Sequence, residues 1–227
     1  MNPNLKAPPN AGKFVGHIIA SSETQNITAV MFEYLLSGNG LFIRARRREF
    51  SVCLPIRRAA VKGLPEAKSG IVWHKPRIPV FIWRQILENA RGECGDPIHF
   101  REDVYVVFWH ETSGGWRWKN IGRERSRARA LADDSKAEYG EACIELHTHP
   151  PGATHFSKSD DRDEEGKFRI FGILIDVHSQ DPKIRFRCGV YDHFVQIPAR
   201  FISEMPGEVL DLNSCEQLID EQEDYEP

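Results

Sequence analysis

The chain reads as an α+β protein: a β-rich front segment, then a helix, a hairpin and a mixed sheet. Three observations predict this. "LFIRARR" alternates, with Phe42, Arg44 and Arg46 on one side and Leu41, Ile43 and Ala45 on the other. In "IPVFIWRQILENARGECG", Val80, Trp83, Ile86 and Leu87 recur at helical spacing. The apolar runs "DVYVVFWHE" and "FRIFGILIDV" are short enough, and rich enough in β-branched and aromatic residues, to be strands.

In chain order, the first dozen residues, with three prolines and three asparagines, read as a flexible lead-in. The stretch "NITAVMFEYLLSGNG" predicts a short helix ended by Gly38-Asn39-Gly40, followed by two strands. A boundary falls near residues 64–79, where glycine and proline interrupt the chain. The helix after it has Pro79 at its front and Gly92 and Gly95 at its end. "DVYVVFWHE" and "GWRWKNIG", separated by Thr-Ser-Gly-Gly, form a hairpin signal. "RERSRARALADDSKAEYGE" is polar and weakly patterned, a long loop or loose helix. "ACIELHTH" is a strand, "SKSDDRDEEG" a short helix, and "FRIFGILIDV" and "KIRFRCGVYD" two further strands. The tail "CEQLIDEQEDYEP" is acidic and expected to be frayed or disordered.

Composition excludes several classes. A chain of 227 residues with 41% hydrophobic and 28% charged residues is ordinary for a globular protein with a core. A formal net charge of -3 gives no global pull toward nucleic acid or membrane. No run approaches the roughly 18 apolar residues that suggest a spanning helix, and the start lacks the apolar core of a signal peptide. The cysteines Cys53, Cys94, Cys143, Cys188 and Cys215 are scattered and form no C-x-x-C pair, which points to reduced thiols in a cytoplasm. The basic runs "RARRR", Arg57-Arg58 and "RERSRAR", with Trp116 and Trp118 nearby, support a competing reading as a nucleic-acid-binding module; solvated arginines are the simpler explanation.

The chemistry concentrates in "CIELHTHPPGATHFSKSDDRDEEG". On a strand, His147 and His149 project to the same face, which suits two imidazole ligands on one metal ion. Pro150-Pro151-Gly152 turns the chain. Ser157 is a natural N-cap, placing Asp160 in the first helical turn, from which its carboxylate can swing back toward the histidines. Two His and one Asp leave a tetrahedral zinc one open position for water. A single H-x-H is weak, and Ser157 with Asp160 alone reads as a capping box. The joint pattern, however, arises by chance in a chain this long with odds on the order of 10⁻⁵ or less.

That pattern resembles the JAMM (MPN+, JAB) metalloprotease family, whose motif H-[ST]-H-P-x(6)-S-x-x-D is met at His147, Thr148, His149, Pro150, Ser157 and Asp160. The resemblance covers roughly residues 76–200. It implies a curved mixed sheet flanked by helices (the cytidine deaminase-like JAB/MPN fold) and one catalytic Zn2+ held by His147, His149 and Asp160. It also implies hydrolysis of peptide or isopeptide bonds after the C-terminal glycine of a ubiquitin-like protein. Ser157 would supply a hydroxyl donor, and a glutamate at the start of the strand after the first helix would be the general base. Glu102 occupies that place, with Glu145 and Glu93 as alternatives, although "EDVYVVF" is bulkier than the small residues that usually follow the family's glutamate. His155 is expected at the surface, and Asp161 capping the helix or pairing with Arg162.

The implied division is 1–75, a β-rich candidate docking segment; 76–205, the metalloprotease domain; and 206–227, the acidic tail. "FSKSDDRDEEGKF" and the ending "RCGVYDHF" resemble PRTRC system protein A, or the deconjugating proteases of antiphage operons. Either resemblance implies a ubiquitin-like substrate, with activating and conjugating enzymes of the same operon as further partners. Metal-free scaffold members of the family lack the ligands present here.

Overall fold

The computed structural model describes residues 13–22, 26–96, 98–123, 126–127 and 130–213. The contacts gather into two units, Met1–Val72 and Trp73–Pro227. The expected lead-in, the acidic tail from Cys215 onward and part of the run "RERSRAR" lie outside the described residues.

The first unit is built on a five-stranded sheet in the order β1-β2-β3-β4-β5: β1 (Val15–Ile19), β2 (Phe32–Ser37), β3 (Gly40–Arg46), β4 (Phe50–Arg58) and β5 (Gly70–Trp73). The helix expected before Gly38 is instead strand β2. Burial there alternates with period two, burying Glu33, Leu35 and Ser37, which no helix does. Gly38-Asn39 is the two-residue connection of a hairpin, with Ser37 paired to Gly40. Gly-Asn chemistry that ends a helix equally makes a tight hairpin, and Gly40 takes a φ of +132° there. Glu33 is fully buried and accepts hydrogen bonds from the amides of Thr28 (2.6 Å) and Ala29 (3.0 Å), which ties residues that looked helical into a turn. Strand β1, which the sequence pattern did not reveal, pairs parallel with β2.

The basic run is largely engaged within this unit. Arg47 and Arg48 both pair with buried Glu49, Arg44 lies 3.8 Å from Glu33, and the Arg58 guanidinium sits 5.5 Å from the Phe42 ring. Phe42 itself is fully buried beside Ile43, because a register irregularity at Leu41/Phe42 breaks simple alternation.

The second unit opens with helix α1 (Val80–Glu93), as its 3.6-residue pattern predicts. Strands β6 (Val104–His110) and β7 (Gly115–Asn120) form the expected hairpin. Between them and the next long strand, the segment read as a loop or loose helix holds a two-strand ladder, β8 (Gly122–Arg123) with β9 (Leu131–Ala132), and a single-turn helix α2 (Ala137–Glu141). Strand β10 (Ile144–His149), helix α3 (Lys158–Glu164), β11 (Phe168–Ile175), β12 (Lys183–Val190), β13 (His193–Ile197), a 3-10 turn (Ala199–Phe201) and β14 (Leu210–Asp211) follow. The main sheet runs β13-β12-β11-β10-β6-β7, with β14 on β12. The β10/β11 pair is parallel, bridged by the crossover through α3, while β10/β6 and β11/β12 are antiparallel.

One face of this sheet packs on α1, which buries Ile82, Trp83, Ile86, Leu87 and Ala90. Trp83 meets Phe186 edge-on at 5.7 Å, and a Cβ at Gly172 would come 2.7 Å from both Leu146 and Phe186, so only glycine permits this packing. On the other face Val104, Val106 and Phe108 pack with Ala130, Ala132 and Tyr139 of the β8–α2 segment. That second face carries Glu102, Glu145 and His147. Among the described residues, no helix is long and apolar enough to cross a membrane.

Candidate metal centre

Period-two alternation in β10 splits its residues cleanly. Leu146 lines the α1 side together with Trp83, whereas Glu145 and His147 open into a cavity of about 180 Å³ on the opposite face. Thr148, on the α1 side, lies 3.4 Å from Cys94 and accepts the Asp103 amide at 2.8 Å. The chain turns after His149, with the Ala153 amide bonded to the Pro150 carbonyl and Gly152 at φ +81°. Helix α3 then starts at Ser157. The Ser157 hydroxyl accepts the Asp160 amide at 3.2 Å, and Asp160 Oδ2 accepts the Ser157 amide at 2.5 Å, a complete capping box.

This cap aims Asp160 at the two histidines. His147 Nε2 and His149 Nε2 are 2.9 Å apart, and Asp160 Oδ1 and Oδ2 lie 3.4 Å from His147 Nε2 and His149 Nε2 respectively. One ligand atom from each residue falls within 4.8 Å of the others. Ligands about 2.0–2.1 Å from a tetrahedral zinc stand about 3.3 Å apart, close to each of these pairwise separations. Converging imidazole nitrogens and a carboxylate are a zinc-type donor set. His149 Nδ1 bonds the Ala153 carbonyl at 3.0 Å, which places its proton on Nδ1 and leaves Nε2 free to ligate.

The electrostatics follow from this crowding. Burial works to raise the Asp160 pKa, but hydrogen bonds from His147 and His149 outweigh it and hold the carboxylate well below its usual range. Burial opposes charge on His149, yet Asp160, the Ala153 carbonyl and Glu102 together raise its pKa.

The β6/β10 ladder explains how Glu102 arrives beside it. The register pairs Glu145 with Val106 and His147 with Val104, and the Thr148 amide continues it by bonding the Asp103 carbonyl at 3.0 Å. One step further sets Glu102 across from His149, on the cavity face. Glu102 is 7% exposed, so it is not a solvated charge at the mouth of a strand. Burial pushes its carboxyl up to about 7, opposed by His149, reinforced by Asp160 and opposed again by the Ala130 amide that donates to it. The Glu102 amide is itself held by the Ser126 carbonyl at 2.8 Å.

The two alternatives sit differently. Glu145 also lines the cavity, as its spacing from His147 predicts, but its carboxylate is held by Arg169 at 2.9 Å and Lys167 at 3.6 Å. Glu93 is exposed at the end of α1 and does not line the cavity. Ser157 is exposed and engaged in the cap, with Ser159 Oγ 2.7 Å from its own, and it is Ser159 that lines the cavity. His155 is exposed, as expected. Asp161 pairs with Arg187 at 2.6 Å, not with Arg162.

With this geometry in view, comparison with known families gives one match: residues 81–189 fit the model described as prokaryotic homologs of the JAB domain. This segment is a prokaryotic JAB domain. No curated protein and no solved structure matches the chain. The match spans nearly all of α1, Glu102, the His147, His149 and Asp160 cluster, α3 and most of β12.

Several groups around the site escaped sequence reading. The cover of the JAB domain's cavity comes from Arg123, Ala130, Leu131, Ala132 and Tyr139, all within the segment that looked patternless. Its short alternating runs were the available signal, but runs of two residues carry no period. Arg187 sits in a strand whose alternation of Lys183, Arg185 and Arg187 predicts a polar face, and nothing local shows that Arg187 is buried; Arg169 is an isolated charge on an otherwise apolar face of β11.

Proposed function

We propose that the JAB domain is a zinc-dependent hydrolase that cleaves the peptide or isopeptide bond after the C-terminal glycine of a bacterial ubiquitin-like protein. The observation that carries this reading is the convergence of His147, His149 and Asp160 within 4.8 Å, with His147, Asp160 and buried Glu102 lining one cavity. His147, His149 and Asp160 would hold the ion, which when bound supplies a Lewis acid that lowers the pKa of water toward about 7.

The chain's own residues supply the proton chemistry. Glu102, poised near neutrality, accepts a proton from the attacking water and hands it to the leaving amine nitrogen as the carbon–nitrogen bond breaks. The Ser157 hydroxyl donates to the carbonyl oxygen as negative charge builds on it. The hydrophobic cover over Glu102 limits bulk water and keeps its carboxyl raised.

The likeness of "FSKSDDRDEEGKF" and "RCGVYDHF" to PRTRC system protein A and to antiphage-operon proteases favours maturation or deconjugation of a modifier encoded nearby, in the cytoplasm, alongside activating and conjugating enzymes. The thiols of Cys94, Cys143 and Cys188 are all buried, which suits that reducing setting. The test is direct. Purified protein should carry about one zinc per chain and cleave a fusion to the C-terminal glycine of the neighbouring modifier; chelation or His149→Ala should abolish cleavage. Cleavage at wild-type rate by His147→Ala and Asp160→Ala variants would overturn the reading.

A further inference from the structure

Helix α3 has only seven residues, too few to be stable alone, yet it must hold Asp160 in register with two histidines on a strand. What docks it is one guanidinium. Arg187, on β12 and 5% exposed, donates from Nε to Glu164 Oε2 at 2.7 Å and from Nη1 to Asp161 Oδ1 at 2.6 Å. It therefore grips the last turn of α3 and the turn that contains Asp160. Its plane lies between two rings, 3.9 Å from the Phe156 centroid and 4.2 Å from that of Phe194. Phe156 in turn packs edge-on against His147 at 6.3 Å. The two stretches "FSKSDDRDEEG" and "RCGVYDHF", more than twenty residues apart, thus meet at this side chain.

We propose that Arg187 is a positioning residue for the metal centre: by clamping Asp161, Glu164 and Phe156, it sets where Asp160 and His147 present their ligand atoms. The planar fork is what the role requires. A lysine could neutralise one carboxylate, but it could neither bridge two nor fill the slot between the rings. The clamp rests on the reading of His147, His149 and Asp160 as metal ligands, and it adds a residue that touches neither metal nor substrate.

The experiment is a zinc-affinity measurement by chelator competition on the full chain, with the melting curve of the metal-free protein recorded for each variant. Arg187→Lys and Asp161→Ala should each weaken zinc binding about tenfold, the scale of lost support to a ligand. Asp161 is half-exposed, so its variant tests the clamp even where Arg187→Lys fails to fold. Because the effect passes through Asp160, Asp161→Ala should cost almost nothing further in an Asp160→Asn background, whereas a merely structural role predicts the same loss in both. The cobalt-substituted Asp161→Ala protein should also show altered visible absorption bands, reporting a displaced ligand. Wild-type zinc affinity in folded Asp161→Ala and Arg187→Lys proteins, or additive losses in the cycle, would overturn the clamp. A wild-type protein that takes up no zinc would overturn the metal reading and the clamp together.

Discussion

Ser157 and Asp160 hold each other by reciprocal hydrogen bonds: each main-chain amide donates to the other's side chain. The same two residues are read as the cap of α3 and as parts of a catalytic centre, and a single substitution separates these uses. Glycine costs only a few tenths of a kcal/mol at an N-cap, whereas alanine costs about 1 kcal/mol. Ser157→Gly should therefore melt within about two degrees of wild type and keep its zinc. Its turnover should fall on the order of 10²–10³-fold if the hydroxyl stabilises the developing oxyanion. Steady-state kinetics with a modifier fusion, beside a thermal melt, gives both numbers; unchanged turnover would confine Ser157 to the cap.

Glu102→Gln should retain zinc and lose turnover by about 10²–10⁴-fold, the usual contribution of a positioned general base. The comparison variant is Glu145→Gln. Glu145 is 9% exposed and sits against buried Arg169 and half-exposed Lys167, so this change leaves the Arg169 charge short of a partner. It should destabilise the protein by about 3 kcal/mol while the folded fraction turns over near the wild-type rate. Turnover measured at saturating zinc and low temperature separates the two; the opposite assignment of losses would move the base to Glu145.

What was legible in the sequence and what was not follows from distance along the chain. His147, His149, Ser157 and Asp160 fall within fourteen residues, so strand alternation and one capping box place them with little help from the rest of the fold. Helix α1 and the β6/β7 hairpin are equally local. Strand β2 failed for the complementary reason: "NITAVMFEYLL" is apolar enough to satisfy either period, and its choice was made by pairing with β1 and β3 and by burial of Glu33. Glu102 needed the β6/β10 register to stand across from His149, and Arg187 needed the fold of β12 beside α3. Polar residues on a strand look solvated until something covers them.

The metal-free protein should show a pH-dependent stability that reports Glu102. Its carboxyl is pushed up to about 7 in the fold, against about 4.3 in an unfolded chain. Between these values the folded state binds the additional proton, so the contribution is fully present at pH 4 and is lost as pH rises through 7. Glu102→Gln stays neutral throughout. At pH 8 the variant's metal-free melting temperature should exceed wild type by several degrees, and the gap should narrow as pH falls below 7 and close by about pH 4. A gap that widened on acidification would show that the Glu102 carboxyl is not raised.

Adding zinc should stabilise the protein in proportion to its saturation. Ligand that binds only the folded state contributes RT ln(1 + [L]/Kd), about 4 kcal/mol at a thousandfold excess over Kd. The JAB domain belongs to a unit of about 155 residues, for which 1 kcal/mol shifts the midpoint by roughly 2–4 °C, so saturating zinc should raise it by about 8–16 °C. His149→Ala should lose nearly all of this shift, since its Nε2 is one of the three donor atoms that converge. Magnesium should do little, because nitrogen-rich ligation disfavours it. Differential scanning calorimetry with each ion decides the matter: an equal shift from magnesium, or an undiminished zinc shift in His149→Ala, would place the binding ion elsewhere in the protein.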